Sequence, residues 1–202
     1  IMGVLLTLKA NMERLPKEVR DDLMESAYNR TRDLERLIDM LLRGARAELA
    51  GAKEMVRLPV SLHQSVAGFN ASRPIRMNLV PDANVLIDPA ALRQILGVLL
   101  ENAISHSPAG SPIDVNASCE DNTLVIDVSN EGTLPTEITS EELFRPFQRG
   151  ADARSSGVGL GLYVAAKLAE SMEGFITAHS TEGKVTFSFS YPLGNAVSHS
   201  TV

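Results

Sequence analysis

The stretch Ser155–Gly174 reads SSGVGLGLYVAAKLAESMEG, and its interpretation decides the fold of the chain. Gly157, Gly159 and Gly161 alternate directly before an apolar run with helical spacing. A residue without a Cβ lets the backbone pass close to a ligand. A helix N-terminus directly after such residues offers unpaired N–H groups and the positive end of the helix dipole, which suits phosphate. Taken alone, the pattern is equally that of a flexible loop with a tight turn. It is not a P-loop, because no Gly-Lys-Ser/Thr follows. Nor is it a dinucleotide fingerprint, because it sits late in the chain without a suitable βαβ unit around it.

The flanking sequence supplies the context. VLIDPAALRQILGVLLENAISHS (Val85–Ser107) reads as a strand end, a turn at Asp88-Pro89 and a strongly apolar helix. IDVNASCEDNTLVIDVSNEG (Ile113–Gly132) alternates as two strands about a turn at Glu120-Asp121-Asn122. A loop, a short helix in EELFRPF, the glycine-rich loop and a helix from Leu160 to about Ser171 follow. FITAHSTEGKVTFSFSYP (Phe175–Pro192) closes the pattern with a second hairpin at Glu182-Gly183. Before Val85, MVRLPVSL and IRMNLVP read as short strands around a helix from Leu62 to about Asn70. Strands in pairs around two or three helices predict an α/β sandwich, one mixed sheet with helices on one face.

The N-terminal part has a different texture. Val4, Leu5, Leu8 and Met12 recur at helical spacing up to about Leu15, where Pro16 breaks the pattern or begins the next helix. From Lys17 to about Leu49 an amphipathic stretch carries Val19, Leu23, Ala27, Leu34, Leu37, Ile38 and Leu41 on one side. Gly51 is its expected stop. Two such helices form a hairpin whose apolar stripes stay wet unless a second copy completes a four-helix bundle, which predicts a homodimer. The alternative is that the hairpin packs on its own C-terminal domain.

Composition narrows the function classes. The 202 residues are 44% hydrophobic and 22% charged, as in a soluble globular protein, and the net charge of −6 gives no broad attraction to nucleic acid or anionic membrane. A single Cys119 allows no internal disulfide, and no Cys/His cluster suggests zinc. The lone Cys119 fits a reducing, cytoplasmic compartment, and no run approaches the roughly 20 apolar residues of a membrane span, so no membrane contact by this stretch is expected.

With these pieces assembled, the chain resembles the catalytic core of bacterial sensor histidine kinases, members of the GHKL ATPases. GLGL before an apolar helix resembles their G2 box, RQILGVLLENAISHSP their N box, IDVSNEG their G1 box and LFRPFQRG their F box, all in family order. VLIDPAALRQ is similar to the entry into the N-box helix, and the hairpin to the dimerisation and phosphotransfer domain. The resemblance implies an α+β chain: a partial helical hairpin over 1–52 and a Bergerat-type α/β sandwich ATPase domain over 53–194; the small, polar residues 195–202 are expected to form a frayed tail.

It also implies ATP and Mg²⁺ as cofactors and assigns the site residue by residue. Asn102 matches the N-box Asn that binds the nucleotide's Mg²⁺. His106, one turn on, fits a phosphate contact. Asn130 and Gly132 fall where the G1 box places an Asp and a Gly beneath adenine, and the carbonyl of Asn130 can accept the exocyclic amine's hydrogen bond. Phe144 and Phe147 match the F box, each equally readable as core packing. Arg149 and Arg154 flank a lid over Gln148–Val158. Gly157, Gly159, Leu160, Gly161 and Leu162 form the G2 loop, and Thr186 is an adenine-side contact from the closing hairpin.

Several positions depart from the family. Val98 stands at a commonly polar N-box position, Ser105 replaces a frequent Lys, Leu134 the second G1 glycine, and Glu173 one of two glycines after the G2 helix. Lys184-Val185 replaces Gly-Thr. The family's phosphoacceptor His is expected upstream of Ile1, because none of His63, His106, His179 and His199 lies in the hairpin. The implied function is transfer of the ATP γ-phosphoryl to that His and then to an Asp of a response-regulator receiver domain. The alternatives are an ATP-independent phosphotransfer or docking scaffold, and another GHKL ATPase of the anti-sigma or gyrase type.

Overall fold

A computed structural model describes residues 16–28, 31, 52–69, 73–79, 83–135, 139–146, 159–194 and 198–199. Residues 17–28 form helix α1. Pro16 stands at its start, where a missing N–H costs nothing, and its carbonyl accepts the N–H of Arg20 at 3.1 Å. Apart from Thr31 and Ala52, the rest of the expected hairpin lies outside the described residues. So does the expected lid.

Strand β1 (Glu54–Arg57) runs straight into helix α2 (Leu58–Ala67). The sequence pattern carries the strand on to Leu62, and the structure corrects it. Pro59 occupies the first turn of the helix, the position where a fixed φ and an absent N–H are tolerated. Strands β2 (Ile75–Leu79) and β3 (Ala83–Ile87) precede helix α3 (Pro89–His106). The Asp88–Pro89 pair starts α3 as its chemistry dictates. Asp88 Oδ1 accepts the N–H groups of Ala90 at 2.8 Å and Ala91 at 3.1 Å.

Strands β4 (Ile113–Glu120) and β5 (Thr123–Glu131) join through Asp121 and Asn122, at φ 45° and 61°. Both residues tolerate the left-handed region that a two-residue hairpin turn requires. A short 3₁₀ turn (Glu142–Phe144) replaces the expected helix in EELFRPF. Helix α4 (Gly161–Ser171) and the hairpin of β6 (Phe175–Thr181) and β7 (Lys184–Pro192) follow.

The main sheet has the order β2-β4-β5-β7-β6, with β2 parallel to β4 and the other pairs antiparallel. Its inner face carries Ile113, Val115, Leu124, Ile126, Val128, Phe187 and Phe189. These pack against Leu92, Ile95 and Leu99 of α3 and Val164, Ala165 and Leu168 of α4. Burying each large apolar side chain contributes roughly 1.5–3 kcal/mol. A second sheet, β1-β3-β8, was not expected. In it Ser198–His199 (β8) of the supposedly frayed tail pairs with Ala83 and Asn84.

The outer face of the main sheet is polar. Asp114 Oδ1 meets Arg76 Nε at 3.0 Å, and its Oδ2 accepts from Lys184 Nζ at 2.6 Å. Burial pushes the Asp114 carboxyl up, but Lys184 and Arg76 together outweigh it and hold the group below its usual range. Among the described residues no helix is long and apolar enough to cross a membrane.

Helix α4 ends in a turn closed by Gly174 N–H donating to Ala169 O at 2.9 Å. The left-handed residue in that turn is Glu173, at φ 66°. Replacing Glu173 with glycine relieves the Cβ penalty, and the gain should be about 0.5–1 kcal/mol, seen as a higher thermal midpoint. An unchanged or lower midpoint would contradict this.

Candidate nucleotide site

Asn130 is the last inward-facing residue of β5, flanked in register by Ile113 on β4 and Val185 on β7. It is 1% exposed. Its Nδ2 donates to Glu131 O at 2.8 Å, while Oδ1 is buried and has no partner among the described residues. An acceptor left in that condition costs about 1–3 kcal/mol, which a ligand N–H would recover.

Gly132 follows at φ 151°. A Cβ built there would lie 3.4 Å from Asn130 Nδ2, 3.4 Å from His106 O and 3.8 Å from Val185 Cγ2. The end of β5 and the C-terminal turn of α3 therefore meet at this glycine.

The other end of the site is the start of α4. Gly159 adopts φ 72°, which favours glycine, and Leu160 O accepts the first helical bond from Val164 N–H at 3.0 Å. A Cβ at Gly161 would lie 3.3 Å from Val98 Cγ1. Asn102 and His106 follow Val98 at successive four-residue steps and so share one face of α3. From Val98 to His106 the helix rises about 12 Å, spanning the gap between the two glycine-marked ends. Asn102 is half-buried midway along it, and His106 is exposed.

Other expected site residues have different placements. Phe144 is partly buried and packs edge-on against the core residue Phe187, with centroids 6.4 Å apart and planes at 90°. Leu160 is buried and Leu162 packs against the core, which leaves main-chain groups as their contribution to the loop. Thr186 is not brought to the site. It lies on the outer sheet face, its Oγ1 2.9 Å from Ser129 Oγ. Strand alternation explains the correction: Val185 pairs with Asn130 and faces inward, so its neighbour must face away. Counting back by two from Phe189 and Phe187 identifies Val185 in the sequence. Phe147, Arg149, Arg154 and Gly157 lie outside the described residues.

Among the described residues no group of three or more His, Cys, Asp or Glu side chains is placed to hold a metal ion. The residues fit Mg²⁺ in another way. A hard cation takes oxygen ligands, keeps waters and uses substrate phosphates, so one amide oxygen such as that of Asn102 suffices from the protein. The orphaned Oδ1 of Asn130 likewise fits an amino-bearing base.

The profile described as "Histidine kinase-, DNA gyrase B-, and HSP90-like ATPase" matches residues 87–195. Sensor protein KdpD of Mycobacterium tuberculosis is 36% identical over 129 residues, which is 63% of this chain and 15% of that protein. A probable sensor histidine kinase HK of the same species is 34% identical over 168 residues, 81% of this chain and 44% of that protein. The chain thus spans less than half the length of these relatives. Among solved structures, the Acinetobacter baumannii histidine kinase AdeS superposes with a TM-score of 0.68 at 19% identity, covering 96% of this chain and 93% of that one. Two glycine positions packed against one helix, an orphaned acceptor between apolar strands and this family match agree: the chain belongs to the histidine kinase-, DNA gyrase B- and HSP90-like ATPases, and within them it is similar to sensor histidine kinases.

Proposed function

We propose that this chain binds ATP with Mg²⁺ and serves a two-component sensor kinase, passing the γ-phosphoryl to a His imidazole and then to a receiver-domain Asp. The observation that carries the reading is the buried, unpartnered Oδ1 of Asn130 beside Gly132. There the amide accepts a hydrogen bond from the exocyclic amine of adenine. The N-terminal N–H groups of α4 receive phosphate oxygens, and Gly159 lets the backbone turn towards them. Asn102 holds Mg²⁺, which supplies neutralisation of phosphate charge when bound. Positioning and charge stabilisation account for most of such catalysis.

Residues 1–52 are the dimerisation hairpin in this reading, and 53–194 the ATP-binding domain. Val19 of α1, on the same helical row as Leu23 and Ala27, is 42% exposed, which supports a helix partner from a second copy. A cytoplasmic setting follows from the need for ATP.

The test is titration of a fluorescent ATP analogue with Mg²⁺ against the wild type and Asn130→Leu. Saturable binding is expected for the wild type, and binding about 10- to 100-fold weaker for the variant, whose fold loses only a poorly satisfied amide. A second reading, an ATP-independent docking scaffold, is favoured by the departures from the family motifs at Val98, Ser105, Leu134, Glu173 and Lys184-Val185. Absence of saturable wild-type binding would select it.

A further inference from the structure

We propose that Arg73 is a positioning residue for the base end of the nucleotide site, clamping the C-terminal turn of α3 against Gly132. The inference rests on the ATP-binding reading above. Arg73 belongs to none of the sequence motifs and lies two residues before β2. Its Nη2 donates to Ile104 O at 3.3 Å and to Ser107 O at 3.3 Å, and its Nη1 donates to Pro108 O. The last carbonyls of a helix have no partners within it. Many helices satisfy them with a left-handed glycine after the last turn, but α3 ends at Ser107 in an extended conformation, φ −104° and ψ 153°. The Ser107 hydroxyl does not cap either; its Oγ is buried without a partner among the described residues. The guanidinium, a planar fork of donors with a charge that suits a helix C-terminus, takes over that role.

Two paths lead from this clamp to Asn130. The first runs through the turn it holds: His106 O lies in that turn, facing the Gly132 position that also borders Asn130 Nδ2. The second runs through the next residue, Pro74, whose carbonyl accepts Ile113 N–H at 3.0 Å, and Ile113 is the register partner of Asn130. With both in place the Asn130 amide is held with Nδ2 on Glu131 O and Oδ1 open. Without the clamp the last turn of α3 frays and His106 O leaves Gly132, so the Glu131–Gly132 backbone that holds Nδ2 shifts and the amide loses its fixed orientation. The site would then no longer distinguish a base bearing an exocyclic amine from one bearing a carbonyl.

The test compares ATP with ITP, which carries a 6-oxo group in place of the amine, and with inorganic tripolyphosphate, on the wild type, Arg73→Gln, Arg73→Lys and Gly174→Ala. The wild type is expected to prefer ATP over ITP by about tenfold or more, the worth of one buried hydrogen bond. Arg73→Gln should bring that ratio close to one and leave tripolyphosphate affinity unchanged, and Arg73→Lys should restore part of the preference. Gly174→Ala, which loosens the fold away from the site, should lower stability and keep the ratio. An unchanged ratio in Arg73→Gln, or the same collapse in Gly174→Ala, overturns the proposal and leaves ATP binding standing. A wild type that binds neither nucleotide, or both alike, overturns this proposal together with the reading beneath it.

Discussion

Replacing Asn102 with alanine is expected to weaken Mg²⁺-dependent ATP binding by about 10- to 100-fold and to abolish the benefit of added Mg²⁺, at little cost to the fold. Asn102 is half-buried in α3, four residues beyond Val98, which touches the Gly161 position. It is therefore the side chain on the helix row between the Gly161 end and the Gly132 end with an oxygen suited to a hard cation. Alanine is a better helix former than asparagine by roughly 0.5 kcal/mol, so the thermal midpoint should hold or rise slightly. Titrating the nucleotide with Mg²⁺ and again in excess chelator separates the roles. The variant should match the wild type in chelator and fall behind it only with metal. Equal affinities in Mg²⁺, or an equal deficit in both conditions, would remove Asn102 from the metal's ligand set.

The second large effect concerns the fold. Gly174→Ala should destabilise the chain by about 3 kcal/mol, lowering the thermal midpoint by roughly 6–12 °C. A Cβ there would sit 2.4 Å from Ser190 O, 3.3 Å from Phe189 Cε2 and 3.4 Å from Ala169 O. Two of those atoms are backbone, one in β7 and one at the end of α4, and neither can rotate away. Either the α4–β6 connection lifts off the sheet or β7 shifts, and each change disturbs the packing around Phe189, which is fully buried. A midpoint within about 2 °C of the wild type would show that the connection relaxes more easily than close-packed interiors allow. Adjacent Glu173 has the opposite problem: its space is ample and its backbone angle is wrong. The pair of positions after α4 is thus occupied by one obligatory glycine and one strained glutamate.

Features with a local cause are legible in the amino-acid sequence alone. Asp88 and Pro89 carry their own capping chemistry and start α3 in place. Asp121-Asn122 and Glu182-Gly183 mark two hairpins, and all four residues take positive φ. Alternation in β5 and the apolar rows of α3 and α4 determine which side chains are buried. The ordered motifs point to one family.

Pairings between distant segments are not legible. The β1-β3-β8 sheet joins the strands at 54–57 and 83–87 to residues 198–199, more than 100 residues on, and no periodicity in a short strand names its partner. Thr186 matches a chemical expectation, but pairing between β5 and β7 turns Val185 inward and Thr186 out. His106 stands out in the sequence for its ring, whereas its carbonyl faces Gly132. Arg73 carries no motif at all, and its bonds span more than 30 residues of sequence. Backbone preferences and binary patterning act within a turn or a strand and can be read residue by residue. Register, face-to-face packing and the satisfaction of helix ends depend on groups brought together only by the completed core, so tertiary structure alone decides them.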